Sequence, residues 1–191
     1  VSKYAREAAE FVNLYSKWRG INRFPALIHT VDLLKKRPEV LRRNVDIPEL
    51  KEIRDWIARE DKLGNPALKA EVASGGNDEL KQALAWSEAV NATVDDIVHG
   101  VPPFPYVRES LEKLSSVADM IVCSATPNKA LAKEWEEHDI AKYVSAICGQ
   151  EAGSKKETLG QASGHGYGDN HVLMIGDAPA DMNAARAVGA L

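Results

Sequence analysis

Apolar residues in the first half of the chain recur at helical spacing. Tyr4, Ala8, Phe11, Tyr15 and Trp18 stand alternately four and three apart, which predicts one apolar stripe on a first helix ended by Gly20. Pro25 is placed to open a second helix running through Leu34, before Pro38 intervenes. Pro48 suits the first turn of a third, whose stripe is Leu50, Ile53, Trp56 and Ile57. A Ser-Gly-Gly-Asn loop at 74–77 precedes a further helix containing Leu80, Leu84 and Trp86. No segment here alternates as a strand does. Residues 1–98 read as an all-helical module, with the tryptophans mostly on its apolar stripes.

The pattern changes after Val101-Pro102-Pro103-Phe104-Pro105, which reads as a linker or hinge. A helix over about 106–117 leads into the apolar run Met120-Ile121-Val122-Cys123. A helix over 128–138 follows, then a β-branched run from Tyr143 to Cys148, then a helix from Lys155 to about Ala162. A third apolar run, His171 to Ile175, meets Gly176-Asp177, and a last helix extends to about Val188. Short apolar runs alternating with helices are the mark of a parallel α/β sheet. Residues 99–191 are therefore expected to form a Rossmann-like α/β core.

Composition narrows the class. The chain has 191 residues, room for a core and a modest second module. With 45% apolar and 27% charged residues it has the balance of an ordinary globular protein. A net charge of -4 argues against a surface that coats nucleic acid, yet leaves room for a small anionic ligand. Cys123 and Cys148, each closing an apolar run, are expected to be buried free thiols in a reducing, cytoplasmic setting. No apolar run approaches the ~18 residues of a membrane span, and no secretory signal is visible. The start at Val1 rather than Met suggests a cropped beginning.

In a parallel sheet, ligands bind beyond the carboxyl ends of the strands, and the polar residues gather there. Ser124-Ala125-Thr126-Pro127 follows the first run and precedes a helix, so a hydroxyl and backbone N–H groups offer a phosphate site. Taken alone, Ser124 or Thr126 is more often a helix cap than a ligand. Asp177 and Asp181 bracket Pro179 at the turn into the last helix. They could converge on Mg2+, or simply end the strand and favour the helix dipole. Ser154-Lys155-Lys156-Glu157 opens the preceding helix, where a lysine could neutralise a phosphate or lie in solvent.

Taken together and in this order, the three segments resemble the haloacid dehalogenase superfamily. Ile121-Val122-Cys123-Ser124 is similar to its second motif, and Lys155, or else Lys156, to its third. Gly176-Asp177 through Asp181 is similar to its fourth motif in the GDxxxD form of the metal-dependent phosphohydrolases. The resemblance implies an α/β core with a helical cap, Mg2+ as cofactor and a small phosphorylated metabolite as partner. It implies that Ser124 and the Ala125 N–H hold phosphoryl oxygens and that Lys155 offsets their charge. Asp177 would bind the metal, and Asp181 would orient its waters or Lys155 more readily than bind metal directly.

The family's first motif, DxDx(T/V), supplies the nucleophilic aspartate and the acid–base aspartate, and it does not occur in these 191 residues. Asp95-Asp96, the nearest pair, has neither the spacing nor a strand before it. Its strand would lie centrally, so the sheet is expected to be incomplete and the nucleophile to lie on a segment outside this chain. The end at Gly189-Ala190-Leu191, where a further strand usually begins, points the same way. A non-catalytic binding relative, or a phosphonate hydrolase or phosphosugar mutase of the same superfamily, is the alternative. Specificity would rest in the helical half, closing through the hinge near 98–105, with Arg19 and Arg23 as candidate substrate contacts. His29 and His99 read as structural or surface residues.

Overall fold

The computed structural model describes residues 1–97, 100–168 and 170–191, so His99 lies outside the described residues. The chain divides into two compact units, Val1–Ile97 and Val98–Leu191.

The first unit is helical: α1 (Ser2–Glu10), α2 (Arg23–Lys36), α3 (Pro38–Leu41), α4 (Lys51–Arg59), α5 (Asn65–Ala73) and α6 (Asp78–Ile97). Its core joins Phe24 and Ile28 of α2, Ile53 and Trp56 of α4, Leu68 of α5, and Leu80 and Ala83 of α6. The Phe24 ring meets Trp56 edge-on at 5.0 Å, an arrangement that the ring quadrupoles favour. Three expectations change. The first helix passes at Phe11 into a π-helix, Phe11–Tyr15, whose wider i→i+5 turn rotates the stripe. Ala8 and Val12 are the buried positions, while Phe11 and Tyr15 are exposed. Leu50, in the left-handed region at φ 52°, starts α4, so Pro48 precedes the helix instead of opening it. Trp86 is 37% exposed and Trp18 half-buried, stacked on His29 at 4.0 Å, so Trp56 is the tryptophan that belongs to the core proper.

The second unit is an incomplete α/β fold. In chain order it contains α7 (Val107–Leu114), β1 (Ile121–Cys123), α8 (Asn128–Glu137), β2 (Ala146–Cys148), α9 (Lys155–Ser163) and α10 (Pro179–Val188). β1 and β2 pair in parallel, with Ile121 opposite Ala146 and Cys123 opposite Cys148. Tyr143, expected in the second strand, instead ends a short 3-10 turn, Ala141–Tyr143. Among the described residues the third run, 171–175, joins no sheet. It meets the chain end instead: the Leu191 N–H donates to Val172 O at 2.9 Å, and the Met174 N–H donates to Leu191 O at 2.9 Å. That exchange is the pattern of a parallel bridge.

Strands of parallel sheets are normally covered on both faces. Here Leu173 and Ile175 are 65% and 79% exposed, and among the described residues no strand lies between this segment and β1. Cys123 and Cys148 are half-buried free thiols instead of fully buried ones, since the sheet they close has only two strands. No helix among the described residues is long and apolar enough to cross a membrane.

Candidate active site

The polar residues singled out in the second unit follow the ends of its extended runs, because each run passes directly into a turn and then a helix. After β1, the Ser124 hydroxyl accepts from the Thr126 N–H at 3.1 Å, a local turn that leaves the hydroxyl proton able to donate outward. The Ser124 N–H donates to Cys148 O at 2.9 Å, carrying the ladder one residue past β1. After β2 the chain reaches α9, whose start is fixed by a capping box. Ser154 accepts from the Glu157 N–H at 3.2 Å, and Glu157 accepts from the Ser154 N–H at 2.7 Å.

That box sets the phase of α9 and separates the two lysines. Lys155, at the first helical position, reaches the Asp181 carboxylate, while Lys156 is exposed. A lysine at a helix N-terminus opposes the helix dipole by about 0.3–1 kcal/mol, and the pairing with Asp181 offsets this. Asp181 sits in the first turn of α10 and is 2% exposed. Its other oxygen accepts from the Ala178 N–H at 3.1 Å. Burial pushes the Asp181 carboxyl up. Lys155 and the Ala178 and Asp177 N–H groups outweigh this and hold it below the ordinary carboxylate value.

A group with a depressed folded-state pKa contributes stability that is present above its unfolded pKa and lost as pH falls through the folded one. The second unit is therefore expected to lose stability on acidification below about pH 4. An Asp181→Asn variant should start less stable and show a flatter acid limb in melting curves taken from pH 7 to pH 2. An acid limb as steep as that of the parent would show that Asp181 is not responsible.

Asp177 is exposed, between Gly176 and the start of α10. A shallow cavity of about 410 Å³ lies against residues 176–179, Met182, Asn183 and Arg186. Among the described residues, no group of three or more His, Cys, Asp or Glu side chains could hold a metal ion. Mg2+ needs fewer, since it keeps waters and takes one or two protein carboxylates beside a substrate phosphate. The hard oxygens of Asp177 fit as one such ligand. Those of Asp181 are already engaged on Lys155 and Ala178.

Arg19 and Arg23 belong to the helical unit. The Arg23 guanidinium donates to Ser87 O at 2.9 Å and to Ser87 Oγ at 3.0 Å, and Ser87 Oγ in turn donates to Asn65 Oδ1 at 2.5 Å. Desolvation lowers the Arg23 pKa, and Ser87 is wholly buried. Arg23 thus ties α2 to α6 from inside the unit. Arg23→Met is expected to destabilise this unit by roughly 1–3 kcal/mol through the polar atoms it leaves unpaired. Urea unfolding followed by tryptophan fluorescence would read this, and an unchanged midpoint would remove the assignment. Arg19 is half-buried beside Trp18, which stacks on His29.

Three residues at the strand ends escaped the sequence reading: Asn128, Gly149 and Glu151. Asn128 Oδ1 accepts from the Gly149 N–H at 2.5 Å, and Glu151 accepts from the Asn128 N–H at 2.8 Å. Their signal was position alone, directly after the Ser124 loop and directly after β2.

A family description of haloacid dehalogenase-like hydrolases matches residues 59–190. No curated protein and no solved structure matches the chain.

Proposed function

Because the chain belongs to the haloacid dehalogenase-like hydrolases, we propose that it carries most of the catalytic site of a Mg2+-dependent phosphohydrolase acting on a small phosphate monoester. The observation that carries this reading is the Lys155–Asp181 pair, which joins the start of α9 to the start of α10 beside Asp177. Such a pair holds an ammonium in one place next to the ends of the apolar runs and largely shields it from solvent.

Each residue then has a role. The Ser124 hydroxyl and the Ala125 N–H donate to phosphoryl oxygens, and Lys155 offsets the charge that develops on them. Asp181 holds Lys155 in place. Asp177 would hold Mg2+, which when bound neutralises phosphoryl charge and fixes the phosphate's orientation. The nucleophile is an aspartate on a segment outside these 191 residues. Its carboxylate oxygen attacks phosphorus in line as the ester P–O bond breaks and the motif's second aspartate gives the leaving oxygen a proton. That aspartate then takes a proton from water, which attacks phosphorus and releases phosphate and the free carboxylate.

The test is turnover. The complete protein with Mg2+ is expected to hydrolyse p-nitrophenyl phosphate and to prefer some members of a panel of phosphorylated sugars and acids. Chelation with EDTA should stop it. No turnover of any monoester would favour the non-catalytic alternative, and release of phosphate only from phosphonates would redirect the substrate class.

A further inference from the structure

The loop that follows β1 is laced to the loop that follows β2 at each of its parts. At its start, the Ser124 N–H donates to Cys148 O at 2.9 Å; in its middle, Thr126 O accepts from the Gln150 N–H at 3.0 Å. At its end, Asn128 Oδ1 accepts from the Gly149 N–H at 2.5 Å and Glu151 accepts from the Asn128 N–H at 2.8 Å. Gly149 is buried where no side chain fits. A Cβ there would stand 2.5 Å from Thr126 O and 2.7 Å from Asn128 N.

We propose that Asn128 and Glu151 are positioning residues for the phosphoryl-binding loop, fixing Ser124 and Ala125 from behind without touching substrate. This rests on the phosphohydrolase reading above. The lacing also decides which donors the loop can offer. The Thr126 N–H is spent on Ser124, the Asn128 N–H on Glu151 and the Ser124 N–H on Cys148, while Pro127 has no N–H. Among the described residues this leaves the Ala125 N–H as the loop's uncommitted backbone donor, beside the Ser124 hydroxyl. The Glu151 carboxylate occupies the first N–H of α8, so the bound anion is kept off that helix end and directed toward Ser124, Ala125 and Lys155.

Asn128 and Glu151 are both exposed, so neither contributes much to the core and their alanine variants should fold. The readout is inhibition of p-nitrophenyl phosphate hydrolysis by inorganic phosphate in the complete protein. Asn128→Ala and Glu151→Ala should each weaken the inhibition constant by about tenfold, the size of one hydrogen bond to a charged group, with kcat lowered alongside it. Glu151→Gln, which keeps the acceptor, should restore it. Alanine variants with parental inhibition constants, or with a loss confined to kcat, would overturn the positioning role and leave the phosphohydrolase reading standing. A parent protein that neither hydrolyses the ester nor binds phosphate would overturn both.

Discussion

Asp177→Asn in the complete protein is expected to lower phosphatase kcat by at least about a hundredfold, because several kcal/mol of charge stabilisation run through the metal that Asp177 would hold. The substitution keeps the shape of the side chain and removes its charge. Asp177 is exposed, so little stability is at stake and the loss can be read as chemistry. Steady-state hydrolysis of p-nitrophenyl phosphate, with circular dichroism on the same sample, separates the two. Activity at the parental level would mean that the carboxylate at this strand end does not bind the cation, and the role of the whole Gly176–Asp181 turn would have to be reassigned.

Gly176→Ala should be among the most damaging small substitutions in the second unit. A Cβ on residue 176 would lie 2.4 Å from Asp181 Cβ and 2.5 Å from its Cγ and Oδ2, far inside van der Waals contact. Asp181 is pinned by Lys155 on one oxygen and by the Ala178 N–H on the other, so it cannot step aside without breaking a buried pair. The expected cost is about 1–3 kcal/mol, that of forcing extra volume into a packed site. Thermal melting would show it, with a parallel loss of phosphate binding. A melting temperature unchanged by the substitution would mean that α10 can shift away, and that the packing at its start is looser than its burial implies.

These two residues illustrate what was legible in the amino-acid sequence. Alternation of apolar runs and helices located β1, α8, α9 and α10 closely, because local periodicity and turn chemistry both act over a few residues. The turn at Pro179 placed Asp181 in the first turn of α10, where its carboxylate meets Lys155. Choosing between Lys155 and Lys156 was beyond periodicity. The Ser154–Glu157 box sets the phase of α9, which brings Lys155 to Asp181 and leaves Lys156 exposed.

The failures have equally local causes. An apolar stripe read at a fixed helical period cannot register the wider turn at Phe11–Tyr15, so Val12 took the inward position expected of Phe11 and Tyr15. The run at 171–175 has strand composition, yet a strand is defined by its neighbours, and none lies on its β1 side among the described residues. α5 was not foreseen as a separate helix, since its single fully buried residue, Leu68, leaves a weak stripe. The lacing of Asn128, Gly149 and Glu151 joins residues more than twenty positions apart, and nothing in either segment alone announces it. Arg23, a candidate substrate contact, donates to Ser87 within the helical unit, a bond that charge patterning does not reveal.

The most direct test of the site as a whole is the affinity of the protein for inorganic phosphate in the presence of Mg2+, measured by titration calorimetry on the parent, Lys155→Met and Lys156→Met. One saturable site is expected, weakened at least about tenfold by Lys155→Met and unaffected by Lys156→Met, since an ammonium held next to a phosphate is worth more than a kcal/mol and a solvated one very little. Equal affinity in all three proteins would contradict the assignment of Lys155, Ser124 and Asp177 to one phosphate-binding centre.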